Sequence, residues 1–351
     1  MPARGVDIVA IGGGTGLSTL LRGLKRFVGG EGAFVVDHLG AIVTVTDEGG
    51  SSGVLRAEFG MLPPGDIRNC IVALAEEEQL LAKIFSYRFD TDSALKGHSL
   101  GNILLTAMTQ ITGSFDNAIL AAAEVLNIRG EIYPSTLSDI RLRATLEDGA
   151  ELIGEVAISG SRIGEEPRKS VRHARITNLA IDPADAQPTD RALEALAAAD
   201  LIIIGPGSLY TSVLPNLVIK PIAEALRQAK ALRVYICNVM TQPNETDGYA
   251  AEDHLQAIVE HAGLVVDVMV MNGSRPSEAI LASYASMNQF PVAFDVEKIR
   301  DLGVTPFFGD IIAEGDFVRH DPGALAQTVF RLYDRYGRTL ERMRRTHEAN
   351  E

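Results

Sequence analysis

The feature that most constrains this chain is a short apolar strand that runs directly into a glycine cluster and then into a helix. Val6-Asp7-Ile8-Val9-Ala10-Ile11 has the composition of a buried strand, and Gly12-Gly13-Gly14-Thr15-Gly16 follows at once. Leu17, Leu20, Leu21 and Leu24 then recur on one face of a helix expected to reach Phe27. Glycines permit positive φ and let a ligand approach the backbone. A helix start offers unpaired N–H groups and a partial positive charge. The turn is therefore expected to hold phosphate in an α/β domain. It is not the dinucleotide fingerprint G-x-G-x-x-G, because Leu17 occupies the third glycine position and Gly16 comes one residue early. It is not a P-loop either, because no Lys precedes Ser18 or Thr19. The competing reading is a tight packing turn with no ligand.

The same pattern recurs along the chain. The run Ala41–Val45 ends in Thr46-Asp47-Glu48-Gly49-Gly50-Ser51-Ser52-Gly53, where Asp47 is the candidate to hold a ribose hydroxyl. Ala199–Ile204 ends in Gly205-Pro206-Gly207-Ser208-Leu209-Tyr210-Thr211-Ser212, an anion site by its form. Arg233–Cys237 ends in Asn238-Val239-Met240-Thr241-Gln242, and Val265–Met271 in Asn272-Gly273-Ser274-Arg275-Pro276. Helices are expected over Thr189–Ala198, Val218–Ala229 and Ala251–Ala262. Five polar loops at strand ends predict one crevice at a sheet edge.

From about Asp66 to Leu126 the pattern is helical almost throughout. Asp66, after Pro63-Pro64-Gly65, is placed to cap a helix or to bind a ligand or metal, and Arg68 and Asn69 stand in its first turn within reach of a phosphate or ribose. Gly97-x-Ser99-x-Gly101 matches the nucleophile-elbow spacing, but no strand precedes it. Ser99 is therefore expected to cap a helix, with His98 and Asn102 lining a substrate site. Residues 128–180 read as β-rich, with a hairpin of Arg141–Leu146 and Glu151–Val156 around the turn Glu147-Asp148-Gly149-Ala150. Arg162, Arg168, Lys169, Arg172, His173 and Arg175 form a basic cluster, read as a solvated face. Further on, Tyr284 is a candidate to stack on a base and Arg319 to pair with a phosphate. The expected fold is α/β: a Rossmann-like, doubly wound, mainly parallel sheet in a single domain over 1–351. It carries a helical insertion at about 66–127 and a β-hairpin extension at about 128–180.

Bulk properties narrow the partners. A net charge of -14 over 351 residues argues against nucleic acid or an anionic membrane as partner. No apolar run approaches the ~18 residues of a transmembrane helix, and the run behind Met1–Gly5 is too short and β-like for a signal peptide. Cys70 and Cys237 make neither a disulfide framework nor a CxxC pair, so a cytoplasmic, reducing setting is expected.

The motifs Ile11–Gly16, Val45–Gly53, Pro63–Arg68, Gly97–Asn102 and Gly205–Thr211, taken together, resemble the YvcK-type gluconeogenesis factor family from about Val6 to Arg319-His320-Asp321. That family is related to the CofD-type 2-phospho-L-lactate transferases. The resemblance implies a cytoplasmic bacterial protein, expected as a homodimer. It would bind a UDP-sugar (UDP-N-acetylglucosamine or UDP-glucose), serve cell-wall precursor supply, cell shape and gluconeogenic growth, and need no cofactor for a reaction. It places Gly12, Gly13, Gly14, Thr15, Gly16, Asn238, Tyr284 and Arg319 at the nucleotide or sugar. The polar loops add Thr46, Ser51, Ser52, Arg68, Asn69, Asn102, Gly205, Gly207, Ser208 and Met240. Asp47 and Asp66 match positions near the phosphoryl-transfer centre of the transferases and its Mg²⁺, which suits oxygen ligands. If the chain is such a transferase, Asp47, Asp66 and His98 are its catalytic candidates, with His98 as the base. An NAD(P)-dependent oxidoreductase is suggested by the glycine turn alone. Leu17 in place of the third glycine points instead to a mononucleotide or UDP-sugar turn.

Overall fold

The computed structural model describes residues 5–30, 34–76, 80–90, 92–160, 174–314 and 318–337. In chain order the strands are β1 (Val6–Gly12), β2 (Val36–Val43), β3 (Glu131–Pro134), β4 (Arg141–Leu146), β5 (Glu151–Ile153), β6 (Ile176–Asp182), β7 (Leu201–Ile204), β8 (Leu232–Ile236), β9 (Val268–Asn272), β10 (Thr305–Gly309), β11 (Ile312–Glu314) and β12 (Val318–His320). The first seven helices are α1 (Gly14–Leu24), α2 (Gly50–Phe59), α3 (Gly65–Leu74), α4 (Leu80–Ser86), α5 (Leu100–Thr112), α6 (Phe115–Val125) and α7 (Glu155–Ser159). The rest are α8 (Asp190–Ala198), α9 (Leu214–Leu217), α10 (Lys220–Gln228), α11 (Ala251–Ala262), α12 (Glu278–Ser286), α13 (Val296–Asp301) and α14 (Pro322–Leu332).

The main sheet has the order β10-β9-β8-β7-β1-β2-β3, and every neighbouring pair is parallel. This is the doubly wound arrangement that the alternating pattern predicts. Its four central residues in β7 are fully buried because helices cover both faces, which is why Leu201–Ile204 reads as an unbroken apolar run rather than an alternation. On α1, Leu17, Leu20, Leu21 and Leu24 are all excluded from solvent, so the periodicity of those leucines marks the face buried in the core. Chain order runs outward from β1 in one direction and from β7 in the other. The loops after β1 and β7 therefore leave on opposite faces and open a crevice between them.

Several local features differ from the sequence reading, among them the Gly49–Gly53 segment, expected as a loop, of which Gly50–Gly53 opens helix α2. The strand Glu131–Pro134 pairs in parallel with β2, so helices α2 to α6 form the crossover between two neighbouring strands of the main sheet. Four residues without a distinctive alternation do not reveal which sheet they join. The helix at Asp66 starts one residue earlier, with Pro64 at its N-cap, so Asp66 is inside the first turn and does not cap it. Ser99 does stand at the N-cap of α5, but its hydroxyl donates to the Phe85 carbonyl (3.0 Å) and makes no cap bond.

The hairpin forms where expected. β4 pairs with β5 and, on its other edge, with β6, making a three-stranded antiparallel sheet. Val156, expected on a strand, lies in α7, which follows β5 after one glycine. Arg162, Arg168, Lys169, Arg172 and His173 lie outside the described residues. Arg175 of the same group places its guanidinium 5.0 Å from the centre of the Tyr249 ring. Among the described residues no helix is long and apolar enough to cross a membrane, and Cys70 and Cys237 are buried free thiols.

Candidate functional site

The crevice at the switch point is a cavity of about 450 Å³, a size typical of small-ligand sites. Its first wall is backbone. Gly13 is the N-cap of α1 and supplies no side-chain cap, and the start of that helix lines the cavity with Gly14, Thr15 and Gly16. Gly14 has φ +62, a conformation that favours glycine. Gly16 is required for a different reason: a Cβ there would run into the Pro206 carbonyl. Close helix–strand packing, the role of the third glycine in a dinucleotide fingerprint, is thus met here one residue earlier. Leu17 is free to point into the core.

The second wall is the loop after β7. Gly207, Ser208, Thr211 and Ser212 line the cavity, the last two from a π-helical turn at Leu209–Val213. The buried Glu245 holds that turn in place, its carboxylate accepting from the Tyr210 N–H (3.2 Å) and the Thr211 hydroxyl (3.0 Å). The loop after β8 adds Asn238, Val239, Met240, Thr241 and Gln242. A hydrogen-bond relay joins the two loops: the Asn238 amide donates to Gln242 Oε1 (2.9 Å), and Gln242 Nε2 donates to Ser208 Oγ (2.7 Å).

The far end, beside β2, is acidic. Asp47, Asp66 and Glu155 face the cavity. Desolvation, then the charge of Asp47, push Asp66 up to about 7 against a hydrogen bond from the Gly14 backbone. Desolvation and Asp47, in the same order, push Glu155 up to about 7. The Glu155 carboxylate accepts from the Glu48 N–H at 3.3 Å. Among the described residues no group of three His, Cys, Asp or Glu side chains is arranged to hold a metal ion by itself. Any cation at Asp47 and Asp66 must therefore complete its oxygen shell from a ligand or water.

The remaining wall comes from Tyr284, Gln289, Val318, Arg319 and His320. The Tyr284 hydroxyl donates to the Val318 carbonyl (3.2 Å), and Tyr284, Val318 and Met240 form a small apolar cluster separate from the main core.

The sequence candidates separate into groups. Gly13 to Gly16, Asp47, Asp66, Gly207, Ser208, Asn238, Met240, Tyr284 and Arg319 meet at the cavity. Ser51, Ser52, Arg68, Asn69 and Asn102 line a second cavity of about 270 Å³ with Arg88, and Asp47 stands in the wall of both. There Arg68 donates to Asn102 Oδ1 (3.1 Å) and Asn69 Oδ1 (2.7 Å), and desolvation, then the Arg88 guanidinium, hold its pKa below the usual range. Gly12, Thr46, Gly205 and His98 line neither cavity. Thr46 bonds Thr44 through its hydroxyl (2.9 Å), and His98 Nδ1 lies 3.1 Å from Ser51 Oγ.

Of the five strand-end loops, four reach the crevice and the one after β9 does not. Asn272 folds back on that loop instead, its amide donating to the Ser274 carbonyl and its Oδ1 accepting from the Ser274 hydroxyl. Glu155, Gln289 and His320 were not anticipated. Glu155 reads as a hairpin residue, and nothing near it in sequence marks a ligand. A polar residue closing a hairpin beside an acidic loop is the only signal.

Comparison with known proteins fits this geometry. The family of 2-phospho-L-lactate transferase CofD matches residues 8–312. The chain is 45% identical over 327 residues to the gluconeogenesis factor of Halalkalibacterium halodurans, covering 92% of this chain and 95% of that one. It is 42% identical over 327 residues to the gluconeogenesis factor of Bacillus subtilis, covering 93% and 97%. A Bacillus halodurans crystal structure of a protein at 44% identity superposes with a TM-score of 0.85, covering 93% of this chain and all of that one. The chain therefore belongs to the gluconeogenesis factor family, built on the CofD-type α/β domain.

Proposed function

We propose that this chain binds a UDP-sugar, UDP-N-acetylglucosamine or UDP-glucose, as a cytoplasmic regulatory protein serving cell-wall precursor supply and cell shape during gluconeogenic growth. One observation carries the ligand class: the start of helix α1 and the glycine loop after β7 line the middle of a single cavity that has acids at one end and an apolar, aromatic wall at the other. A helix start suits a diphosphate. The carboxylates suit sugar hydroxyls, which are donors, and the wall of Tyr284, Met240 and Val318 suits a nucleoside. The regulatory role rests on the family alone.

Asp47 and Asp66 fit Mg²⁺ in the way that ion is usually held, by one or two carboxylates with phosphate oxygens of the ligand. When bound, it would neutralise charge on the diphosphate. A second reading, transfer of a phosphorylated group to an acceptor as in the CofD transferases, is favoured by the position of Asp47 between two adjoining cavities.

The test is a thermal melt. UDP-N-acetylglucosamine at a hundredfold excess over Kd should stabilise the fold by about 2.7 kcal/mol and raise Tm by several degrees, while GDP and NADH should not. A shift with GDP and none with UDP-sugars would reject the reading. Arg319→Ala and Tyr284→Ala should each reduce the shift. Transfer assayed with a deazaflavin acceptor decides the second reading.

A further inference from the structure

The smaller cavity, about 270 Å³, adjoins the crevice at Asp47, and its other charged residues are both arginines, Arg68 and Arg88. Arg68 is 8% exposed, yet its guanidinium meets only neutral acceptors, Asn102 Oδ1 (3.1 Å) and Asn69 Oδ1 (2.7 Å). Arg88 donates to the Gly97 carbonyl (3.0 Å). Among the described residues neither arginine forms an ion pair, Asp47 included. Arg56, buried to the same degree, shows the usual alternative, since Asp139 and Glu48 both pair with it. A guanidinium taken out of water without a counter-ion is unfavourable, so Arg68 marks a place that an anion would complete.

The surroundings are built to hold it there. While Asn102 Oδ1 accepts from Arg68, Asn102 Nδ2 donates to Ser51 Oγ (3.2 Å) and Ser52 Oγ (3.4 Å), so one buried amide ties α3 and α2 to α5. Arg88 comes from the segment between α4 and α5, which is fixed by an antiparallel bridge from Arg88 to Ser99. Arg68 Nε has no acceptor among the described residues, and it is not one of the solvent-excluded atoms left without a partner, so it keeps accessible surface. Two helices also begin at this cavity, α2 at Gly50 and α3 at Gly65, and neither N-cap supplies a side-chain cap bond. Their dipoles add positive potential to that of the two guanidiniums.

The same features select the anion. A carboxylate is satisfied by a single guanidinium, whereas a phosphate group carries up to two charges and enough acceptor oxygens to engage two. The volume lies below that of sites for drug-sized ligands, which leaves room for a phosphate with a few carbon atoms and not for a second nucleotide. We propose that the cavity of Arg68 and Arg88 is an anion site of its own, taking a phosphate group, free or on a small monoester, while the crevice holds its own ligand. The identity of the crevice ligand does not enter into it.

Titration calorimetry on the full chain tests this with inorganic phosphate, glycerol 3-phosphate and acetate at fixed ionic strength. At least one of the two phosphates should bind saturably and more tightly than acetate. Equal affinities for the two would name free phosphate as the ligand, and tighter glycerol 3-phosphate a monoester. Arg88→Gln, an exposed position that should fold normally, should weaken that binding by about tenfold or more, and Arg68→Gln by at least as much. Saturating UDP-N-acetylglucosamine should leave the phosphate bound, and Arg88→Gln should keep wild-type affinity for UDP-N-acetylglucosamine. The proposal is overturned if neither phosphate binds saturably, if acetate binds as tightly, or if Arg88→Gln binds phosphate like wild type. Displacement of the phosphate by UDP-N-acetylglucosamine also overturns it, since the arginines would then serve the crevice ligand. If Arg68→Gln does not fold, Arg88→Gln decides alone. Absence of any UDP-N-acetylglucosamine binding by wild type removes the nucleotide reading only, and the phosphate titrations of wild type and Arg88→Gln still decide this site.

Discussion

At the β1–β7 end of the cavity the polar groups come from a helix start and two glycine loops. At the β2 end they are three carboxylates, Asp47, Asp66 and Glu155, brought from a loop, helix α3 and the start of α7, which follows a separate antiparallel sheet. The first end needs no stored charge, because the dipole of helix α1 is already oriented there. At the second, desolvation and then the charge of Asp47 raise Asp66 and Glu155 toward neutrality. One end is ready for an anion. The other is under electrostatic stress that a cation or a set of hydroxyl donors would relieve. A site that is electrostatically lopsided in this way suits a ligand that is itself lopsided, with its charge in the middle and its donors at one end.

The largest expected effect breaks the backbone end. Gly16→Val places a side chain against the Pro206 carbonyl and forces α1 away from the β7 loop. Overpacking of this kind destabilises by about 1–3 kcal/mol, and UDP-sugar affinity should fall at least a hundredfold because both walls move. Urea unfolding and calorimetry measure the two losses. A variant with wild-type stability and affinity would mean that the close approach is not needed.

The acid end is probed by pH. Asp66 is raised from 3.8 to about 7 in the folded chain. A carboxyl with a raised folded pKa binds its proton more tightly when folded. Its contribution is therefore complete below about pH 4 and is lost as pH climbs from there through 7. Asp66→Asn should accordingly leave stability unchanged near pH 4 and increase it at pH 8 in the unliganded, metal-free protein. The upper bound on that gain is set by the proton affinity, each tenfold change of which is worth about 1.4 kcal/mol. Glu155→Gln should act in the same direction and by less, since Glu155 is raised to about 7 from 4.5. Melting temperatures of the three proteins from pH 4 to 8 decide this. A difference between Asp66→Asn and wild type that does not vary with pH would show that Asp66 is neither desolvated nor crowded in the folded chain.

The smallest effect concerns the relay between the two loops. Gln242→Ala removes the donor to Ser208 Oγ and the acceptor for Asn238. The loss of one or two such bonds corresponds to up to about tenfold in ligand affinity, with little change in Tm. Equal Kd values for variant and wild type would show that the relay does not orient the groups a ligand meets.

Much of the backbone end was legible in the sequence. Strand, glycines and helix are consecutive there, and local geometry alone puts N–H groups at the turn, so Gly13 to Gly16, Gly207 and Ser208 were found by reading along the chain. The acid end was half legible. Asp47 and Asp66 sit beside recognisable loops, whereas Glu155 reaches the cavity only because the β4–β5 hairpin folds over the β2 loop, where Glu155 accepts the Glu48 N–H. The loop after β9 had the same composition as the others and still turned away, because Asn272 satisfies its own loop. Composition marks a loop as polar without saying whether its polar groups are used up internally.

By itself the sequence determined the doubly wound sheet and the glycine turns at its strand ends, since these follow from apolar runs, periodicity and glycine placement within about twenty residues of one another. Only the tertiary structure decided that Ser51, Arg68 and Asn102 belong to a second cavity, that Asp47 is shared between the two, and that Glu155 and His320 complete opposite ends of the first. Those placements depend on how the antiparallel sheet and the β11–β12 hairpin pack over the sheet edge. Such packing is set by contacts between segments far apart in the chain, such as Glu48 with Glu155, which no local pattern encodes.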